Sequence, residues 1–320
     1  MNIVCATDDN FVQHCCIMLV SLLCHNKDVD VYIMTEGLIA NNRNKIEEEV
    51  RVKNGRLHFC YVQGDLIKDL PLSKEKGLTH ISRATYYRLL IADILPKEIN
   101  RVLYLDCDIV VNDSIQELWE TDMTGMAIAA VPQIGSGHEA ERLGYPIQYG
   151  YFNAGVTLLN LDFIRKNNIT DKLLSYLKDN SDIIIYNDQD VLNGALYDTC
   201  FHLLPQWNMT TLVYTPFLEK RGDKRNGIVI NDYKKEKENA ISHRNNPSIL
   251  HYVSKPKPWD KNCIHPLYDL YYYYADMTIN YKGLARQTVF ERSFAIIKHY
   301  LYIFMSNVKQ LFYKTDKTRL

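Results

Sequence analysis

The first hundred residues alternate short β-branched runs with longer stretches of helical periodicity, and this alternation constrains the fold more than any other feature of the chain. Asn2 to Thr7, Val29 to Thr35 and Leu57 to Val62 read as strands, and Val12 to His25 and Ala40 to Val52 as helices. Repeated β-α-β units of this kind build a mostly parallel sheet. A further helix fits His80 to Ile94, closed by Pro96, and the apolar strand Arg101 to Leu105 follows. In open sheets ligands collect beyond the carboxyl ends of the strands. Both relevant strands end in carboxylates: Thr7-Asp8-Asp9-Asn10 after the first, Asp106-Cys107-Asp108 after the later one.

The charges nearly cancel, with 37 basic and 38 acidic residues, so no overall field draws the chain to nucleic acid. Eight cysteines without a C-x-x-C pair read as reduced, core-packed thiols of a cytoplasmic protein. Met1 to Thr7 runs straight into a strand, without the basic start of a signal peptide. The most apolar stretches, Ile17 to Cys24 and Phe294 to Met305, fall short of the roughly 18 apolar residues a membrane span needs. Glu219 to Asn246 reads as a solvated surface excursion.

Asp106 and Asp108 project to the same side of an extended segment, where two carboxylates repel unless a cation lies between them. Hard oxygen ligands suit magnesium, manganese or calcium. His251 follows a strand-like run, and Lys257 lies six residues on in a proline-stiffened segment. Imidazole beside the two carboxylates favours manganese over magnesium, and a compact lysine charge suits phosphate. A third acidic cluster, Asn187-Asp188-Gln189-Asp190, precedes the helical run Val191 to Tyr197.

In this order the motifs resemble glycosyltransferase family 8, which includes bacterial lipopolysaccharide galactosyl- and glucosyltransferases. The resemblance spans Met1 to Lys261 and rests on Ile3 to Asn10, His80 to Leu89, Val102 to Asp108, Tyr151 to Val156, Asp188 to Asn193, and His251 through Trp259. It implies an α/β fold of GT-A type, a single Rossmann-like domain over 1–270. It also implies that Ala6, Asp8 and Asn10 hold uracil and ribose. Asp106, Asp108 and His251 would ligate Mn²⁺, with Mg²⁺ as the alternative, and Lys257 and Ser254 would adjoin the diphosphate. Arg88, Asn153, Asp188 and Gln189 would surround the transferred hexose, with His80 nearby. Ser254 stands where bacterial members usually carry glycine. The acidic residue expected near position 130 in galactosyltransferase members is replaced by Ala129-Ala130-Val131-Pro132-Gln133.

The implied activity is transfer of galactose or glucose from a UDP-hexose to a saccharide or glycolipid acceptor, with retention, in bacterial surface-glycan biosynthesis. An amide at Gln189 is a poor nucleophile, which favours front-side attack; Asp188 is the candidate covalent partner. The alternatives are a catalytically silent nucleotide-sugar-binding protein and a haloacid-dehalogenase-like phosphatase.

Residues 271–320 differ in character. From Lys282 onward eight basic residues face two acidic ones, a net of +6. Phe290, Phe294, Ile297, Leu301, Phe304, Val308 and Leu311 fall on one helical face. The reading preferred is a basic amphipathic helix that binds the inner face of the plasma membrane peripherally, with Tyr271 to Tyr274 as interfacial aromatics; the alternative is a C-terminal helix packed on the core, its apolar surface widened by Ile296 and Ile303.

Overall fold

A computed structural model of the chain describes residues 1–64, 70, 83–214 and 231–301. The strands are β1 (Asn2–Ala6), β2 (Asp30–Thr35), β3 (Arg56–Tyr61), β4 (Arg101–Leu105), β5 (Ile109–Val111), β6 (Ile128–Pro132), β7 (Phe152–Asn160), β8 (Cys200–His202), β9 (Met209–Thr210) and β10 (Ile249–His251). Seven of them form a sheet in the order β3-β2-β1-β4-β7-β6-β8, parallel except for β7, which runs against both neighbours. The helices α1 (Val12–His25) and α2 (Ala40–Val52) connect the first three strands, as the alternation implies.

Side-chain alternation divides the sheet into two buried faces. Ile3, Cys5, Val31, Ile33, Leu103 and Leu105 pack against α1, while Val4, Tyr32, Met34, Val102 and Tyr104 meet the opposite layer. That layer includes the helices Ile169–Asp179 and Asn187–Leu196. α1 is apolar on nearly every side because it is sandwiched: Ile17 turns away from the main sheet into a third cluster with Tyr268, Tyr271 and Tyr272.

The helix expected over His80 to Ile94 takes a different form. Arg83–Leu90 winds as a tighter 3₁₀ helix and only Ile91–Ile94 is α-helical; residues 80–82, His80 among them, lie outside the described residues. Tyr86, Tyr87, Arg88, Leu89 and Leu90 are all buried, so this segment is enclosed and carries no amphipathic stripe. Within the expected excursion over Glu219 to Asn246, Asn231–His243 is a helix; its Ala240 is fully buried, while Glu238, Ser242, Asn245 and Asn246 are exposed. Residues 215–230 lie outside the described residues.

The expected boundary after residue 270 falls inside the helix Tyr268–Ala275. Tyr271, Tyr272 and Tyr274 are buried, and only Tyr273 of that run is exposed, so these tyrosines are core and not interfacial anchors. Their hydroxyls reach inward: Tyr271 pairs with His14 Nδ1 at 2.7 Å, and Tyr272 donates to the Pro258 carbonyl at 3.1 Å. The core continues beyond this helix, where Glu49 of α2 accepts the backbone N–H groups of Ile279 and Asn280.

Residues 289–301 form a further helix. Thr288 and Glu291 cap its start reciprocally, Thr288 N–H donating to Glu291 Oε2 (2.8 Å) and Glu291 N–H to Thr288 Oγ1 (3.2 Å). Arg292 ties one side of the helix to the core through Asp269 (3.0 Å), the His265 carbonyl and the ring of Tyr268. Phe290, Phe294, Ile297 and Leu301 are exposed, at 81%, 62%, 57% and 56%. No helix among the described residues is long and apolar enough to cross a membrane.

The glycine of the helix Asn187–Leu196 is fixed by packing. A Cβ on Gly194 would lie 2.5 Å from Cε1 of Tyr176, whose hydroxyl donates to the Leu143 carbonyl. Gly194→Ala should therefore lower the urea midpoint by the equivalent of about 1–3 kcal/mol, as overpacking does. An unchanged or raised midpoint, the outcome expected from helix propensity alone, would refute this account.

Candidate functional site

Three side chains from two distant parts of the chain converge beyond β4. The apolar strand delivers Asp106, and Asp108 follows before β5 begins. β5 then pairs antiparallel with β10 in the register His251↔Ile109, which sets His251 beside Asp108. His251 Nε2 lies 3.1 Å from Asp108 Oδ1 and 3.8 Å from Asp106 Oδ2, and one ligand atom from each of the three residues falls within 4.8 Å of the others. Gly155 of β7 lines this space. A Cβ there would come within 2.7 Å of His251 Nδ1 and 2.8 Å of Asp106 Oδ2, so the cluster exists only because that position has no side chain.

The imidazole is oriented by a chain of amides that begins at a backbone donor. Gly155 N–H donates to Asn153 Oδ1 (3.0 Å), which fixes the Asn153 amide with its nitrogen towards Gln189 Oε1 (3.1 Å). Asn208 Nδ2 donates to the same Asn153 oxygen (2.9 Å), leaving Asn208 Oδ1 to face His251 Nδ1 at 3.0 Å. On this assignment Nδ1 carries the proton and Nε2 presents its lone pair to the carboxylates, as a metal-ligating histidine requires. The donor set, two carboxylates and one imidazole, fits a divalent ion of the manganese or magnesium type.

Lys257 contacts the cluster from the other side, with Nζ 2.5 Å from Asp108 Oδ2 and also bonded to the Tyr252 carbonyl. Burial works against charge at Asp108, yet Lys257 and His251 hold its carboxyl well below the usual carboxylate range. The Lys-Pro-Trp segment is supported from below. Trp259 stacks on His14 at 3.6 Å between ring centroids, and burial pushes that imidazole down to about 4, so it packs as a neutral ring. Ser254 has φ +63°, the left-handed region that favours glycine.

Arg88 is buried between two carboxylates. Its Nη2 donates to Asp106 Oδ1 (2.7 Å) and its Nη1 to the Ala154 carbonyl (2.7 Å). Nε lies 2.8 Å from Asp188 Oδ2 but its N–H is not aimed there, so this is an ion pair without a hydrogen bond. Burial pushes the Asp188 carboxyl up to about 6 despite Arg88; Thr85 Oγ1 donates to its other oxygen. Gln189 Oε1 accepts from Asn153 Nδ2 and from the Ala154 N–H (3.0 Å), and its Nε2 donates to Tyr151 (2.9 Å). Asp190, fully buried, accepts the N–H groups of Ile185 and Tyr186, the Tyr151 hydroxyl and Arg142, and so braces the turn before the helix. That helix begins at Asn187, earlier than the expected Val191.

The structure thus brings together Arg88, Asp106, Asp108, Asn153, Asp188, Gln189, His251 and Lys257. Ala6 lies at the end of β1, followed by Asp8, whose Oδ1 accepts the N–H groups of Asn10 (2.9 Å) and Phe11 (3.2 Å) ahead of α1. Ala129 and Ala130 are fully buried in β6. Sequence reasoning missed Asn208 and Tyr104, whose hydroxyl donates to Asp106 Oδ1 (3.1 Å) and whose ring lies under Arg88. No spacing signal marks Asn208, an isolated amide at a strand edge. Tyr104 was visible, being two residues before Asp106 on the same side of a strand.

The sequence matches the description "Glycosyl transferase family 8" over residues 2–263. General stress protein A of Bacillus subtilis (strain 168) is 30% identical over 284 residues, covering 87% of this chain and 94% of its own length. Lipopolysaccharide 1,2-glucosyltransferase of Escherichia coli (strain K12) is 28% identical, with 83% and 75% covered. The crystal structure of galactosyltransferase LgtC in complex with donor and acceptor sugar analogues is similar at a TM-score of 0.76 and 25% identity, covering 88% of this chain and 97% of that one. With that match, the shared fold and the carboxylate-histidine cluster at the end of its fourth strand, the chain belongs to glycosyl transferase family 8 and is a hexosyltransferase of GT-A fold.

Proposed function

We propose that the protein transfers galactose or glucose from a UDP-sugar to a saccharide or glycolipid acceptor of a bacterial surface glycan, with retention and with Mn²⁺ as cofactor. The observation that carries this reading is the convergence of Asp106, Asp108 and His251, with Lys257 against them. When bound, the divalent ion supplies positive charge against the negative charge that develops on the departing diphosphate. Lys257, free to exchange Asp108 for a phosphate oxygen, adds a second positive charge there. Ala6, Asp8 and Asn10, at the end of β1, take the uracil and ribose, and Ser254 adjoins the diphosphate. Arg88, Asn153, Asp188 and Gln189 take the hexose.

Front-side attack suits these residues better than double displacement. Both ends of the Gln189 amide are already hydrogen-bonded, and Asp188 is held by Thr85 and Arg88. The acceptor hydroxyl would then lose its proton to the departing phosphate oxygen as the new glycosidic bond forms on the face the phosphate leaves. The phosphatase alternative falls with the family assignment.

The protein's place of work is proposed to be the inner face of the plasma membrane. The apolar face of the helix 289–301 is turned outward while Arg292 holds its other side to the core, and Lys298 is exposed on it. Such a face can enter the headgroup region, with each nearby basic residue contributing about 1 kcal/mol towards anionic lipid.

Three outcomes test the reading. Asp108→Ala and His251→Ala should each slow acceptor-independent UDP release from UDP-galactose or UDP-glucose at least roughly 10²-fold. Chelator should abolish wild-type release and Mn²⁺ restore it better than Ca²⁺, and Asn208→Leu should need roughly 10–100-fold more Mn²⁺; full activity in excess chelator refutes the metal assignment, and donor binding without any release marks a silent binder.

Because the Asp188 carboxyl titrates at about 6, turnover should be complete above that pH and fall as pH drops through it, when protonation discharges its pair with Arg88. The same low-pH fall in Asp188→Asn would assign it to another group. A glycosyl adduct trapped on Asp188 or Gln189 by mass spectrometry would overturn front-side attack.

A chain ending at Thr288 keeps the contacts of Arg286 and Gln287 and should still hydrolyse donor, yet no longer sediment with anionic vesicles at low salt. Failure of the full-length protein to bind such vesicles, or unfolding of the shortened one, would sink the membrane assignment.

A further inference from the structure

A second cluster of ligating atoms lies directly behind the first. Cys107 sits between Asp106 and Asp108 in the turn that joins β4 to β5. There it meets Cys5 of β1 and Cys15 of α1, with one sulfur from each within 4.8 Å of the others and Cys5 Sγ 3.9 Å from Cys15 Sγ. Cys5 and Cys15 are fully buried and Cys107 is 7% exposed. The three are free thiols. A separation of 3.9 Å is far beyond a disulfide bond of about 2.05 Å. It is, however, the distance spanned by two thiolates on one ion at about 2.3 Å each. Cys107 Sγ donates to the Ala6 carbonyl oxygen at 3.2 Å, which sets that oxygen on the rim of the sulfur cluster. Among the described residues the other five cysteines join no such group.

We infer that Cys5, Cys15 and Cys107 form a second metal site, selective for a thiophilic divalent cation such as Zn²⁺ or Cd²⁺. Three sulfurs prefer soft and borderline ions, whereas Asp106, Asp108 and His251 prefer harder ones, so the two clusters sort cations between them. Each thiol releases its proton to water on binding, and the ion balances two of the three thiolate charges. Cys107 shares its backbone with both carboxylate ligands, and Cys5 precedes Ala6 on the nucleotide side. An ion that gathers the sulfurs therefore displaces the groups in front of them, which makes Zn²⁺ an inhibitor of the Mn²⁺-supported reaction. This last step rests on the proposed function; the binding step does not.

The test titrates full-length, reduced protein with Cd²⁺ in excess Mg²⁺ and follows thiolate-to-cadmium charge-transfer absorption. One equivalent should saturate the band. It should be lost in Cys15→Ala and in Cys5→Ala and kept in Asp108→Asn, and the cadmium-113 resonance of the wild type should report three sulfur ligands without recourse to any variant. Absence of the band, its survival in both cysteine variants, or a resonance typical of oxygen ligation overturns the site. In Mn²⁺, the Zn²⁺ concentration that halves UDP release should rise at least tenfold in Cys15→Ala; equal sensitivity overturns the inhibitory coupling. If wild-type protein binds Cd²⁺ through sulfur yet releases no UDP, the second site stands and the proposed activity fails.

Discussion

The antiparallel pairing of β10 with β5 is the constraint on which the site depends. A register shift of one residue would turn His251 to the other face of its strand and separate it from Asp108. The register is held on both sides, since β10 also pairs with β9, and Ser21 of α1 accepts the N–H of Val111 in β5 at 2.9 Å. Gly155 completes the arrangement from the main sheet in two ways. Its missing side chain leaves room for His251 and Asp106, and its N–H starts the amide chain that sets the histidine tautomer. A single backbone position thus fixes both the space and the protonation pattern of the cluster.

Charge around the site is balanced in pairs, which lets carboxylates remain buried. Arg88 lies between Asp106 and Asp188, and Lys257 against Asp108. Removing either cation would leave a carboxylate buried without a countercharge, which costs several kcal/mol, so both basic residues are structural before any donor arrives. The difference between them lies in their attachment. Arg88 is enclosed by Tyr104, the Ala154 carbonyl and two acids, whereas Lys257 is a single flexible stem on an extended segment. Arg88 keeps its place, and Lys257 is the cation whose charged end can move.

Much of this was legible in the sequence, for reasons that are local. Alternating β-branched runs marked β1 to β4, and the acids just past Leu105 stood where open sheets bind ligands. The unusual residue at Ser254 was visible too, and its left-handed φ of +63° is a conformation that glycine adopts freely and that costs a serine about 1–2 kcal/mol. What escaped was non-local. The importance of Asn208 depends on a strand only two residues long that pairs with β10. The run Tyr271 to Tyr274 looked interfacial because tyrosine suits both membrane interfaces and cores; only the presence of α1 and Trp259 above it decides between them.

The same distinction governs the last helix. Its sequence pattern is equally compatible with packing on the core, and periodicity cannot say which face of an amphipathic helix is turned inward. Arg292 supplies that information. It lies away from the apolar stripe and reaches Asp269, the His265 carbonyl and the Tyr268 ring together, so the side of the helix that carries Arg292, with Ala295, Ile296 and His299 half-buried, is the one attached. Attachment by that side leaves Phe290, Phe294, Ile297 and Leu301 facing outward. Exposing four large apolar residues in water forgoes about 1.5–3 kcal/mol for each that could be buried. The arginine therefore converts a pattern that sequence leaves ambiguous into a directed apolar face, joined by a capped turn to the domain that carries the site.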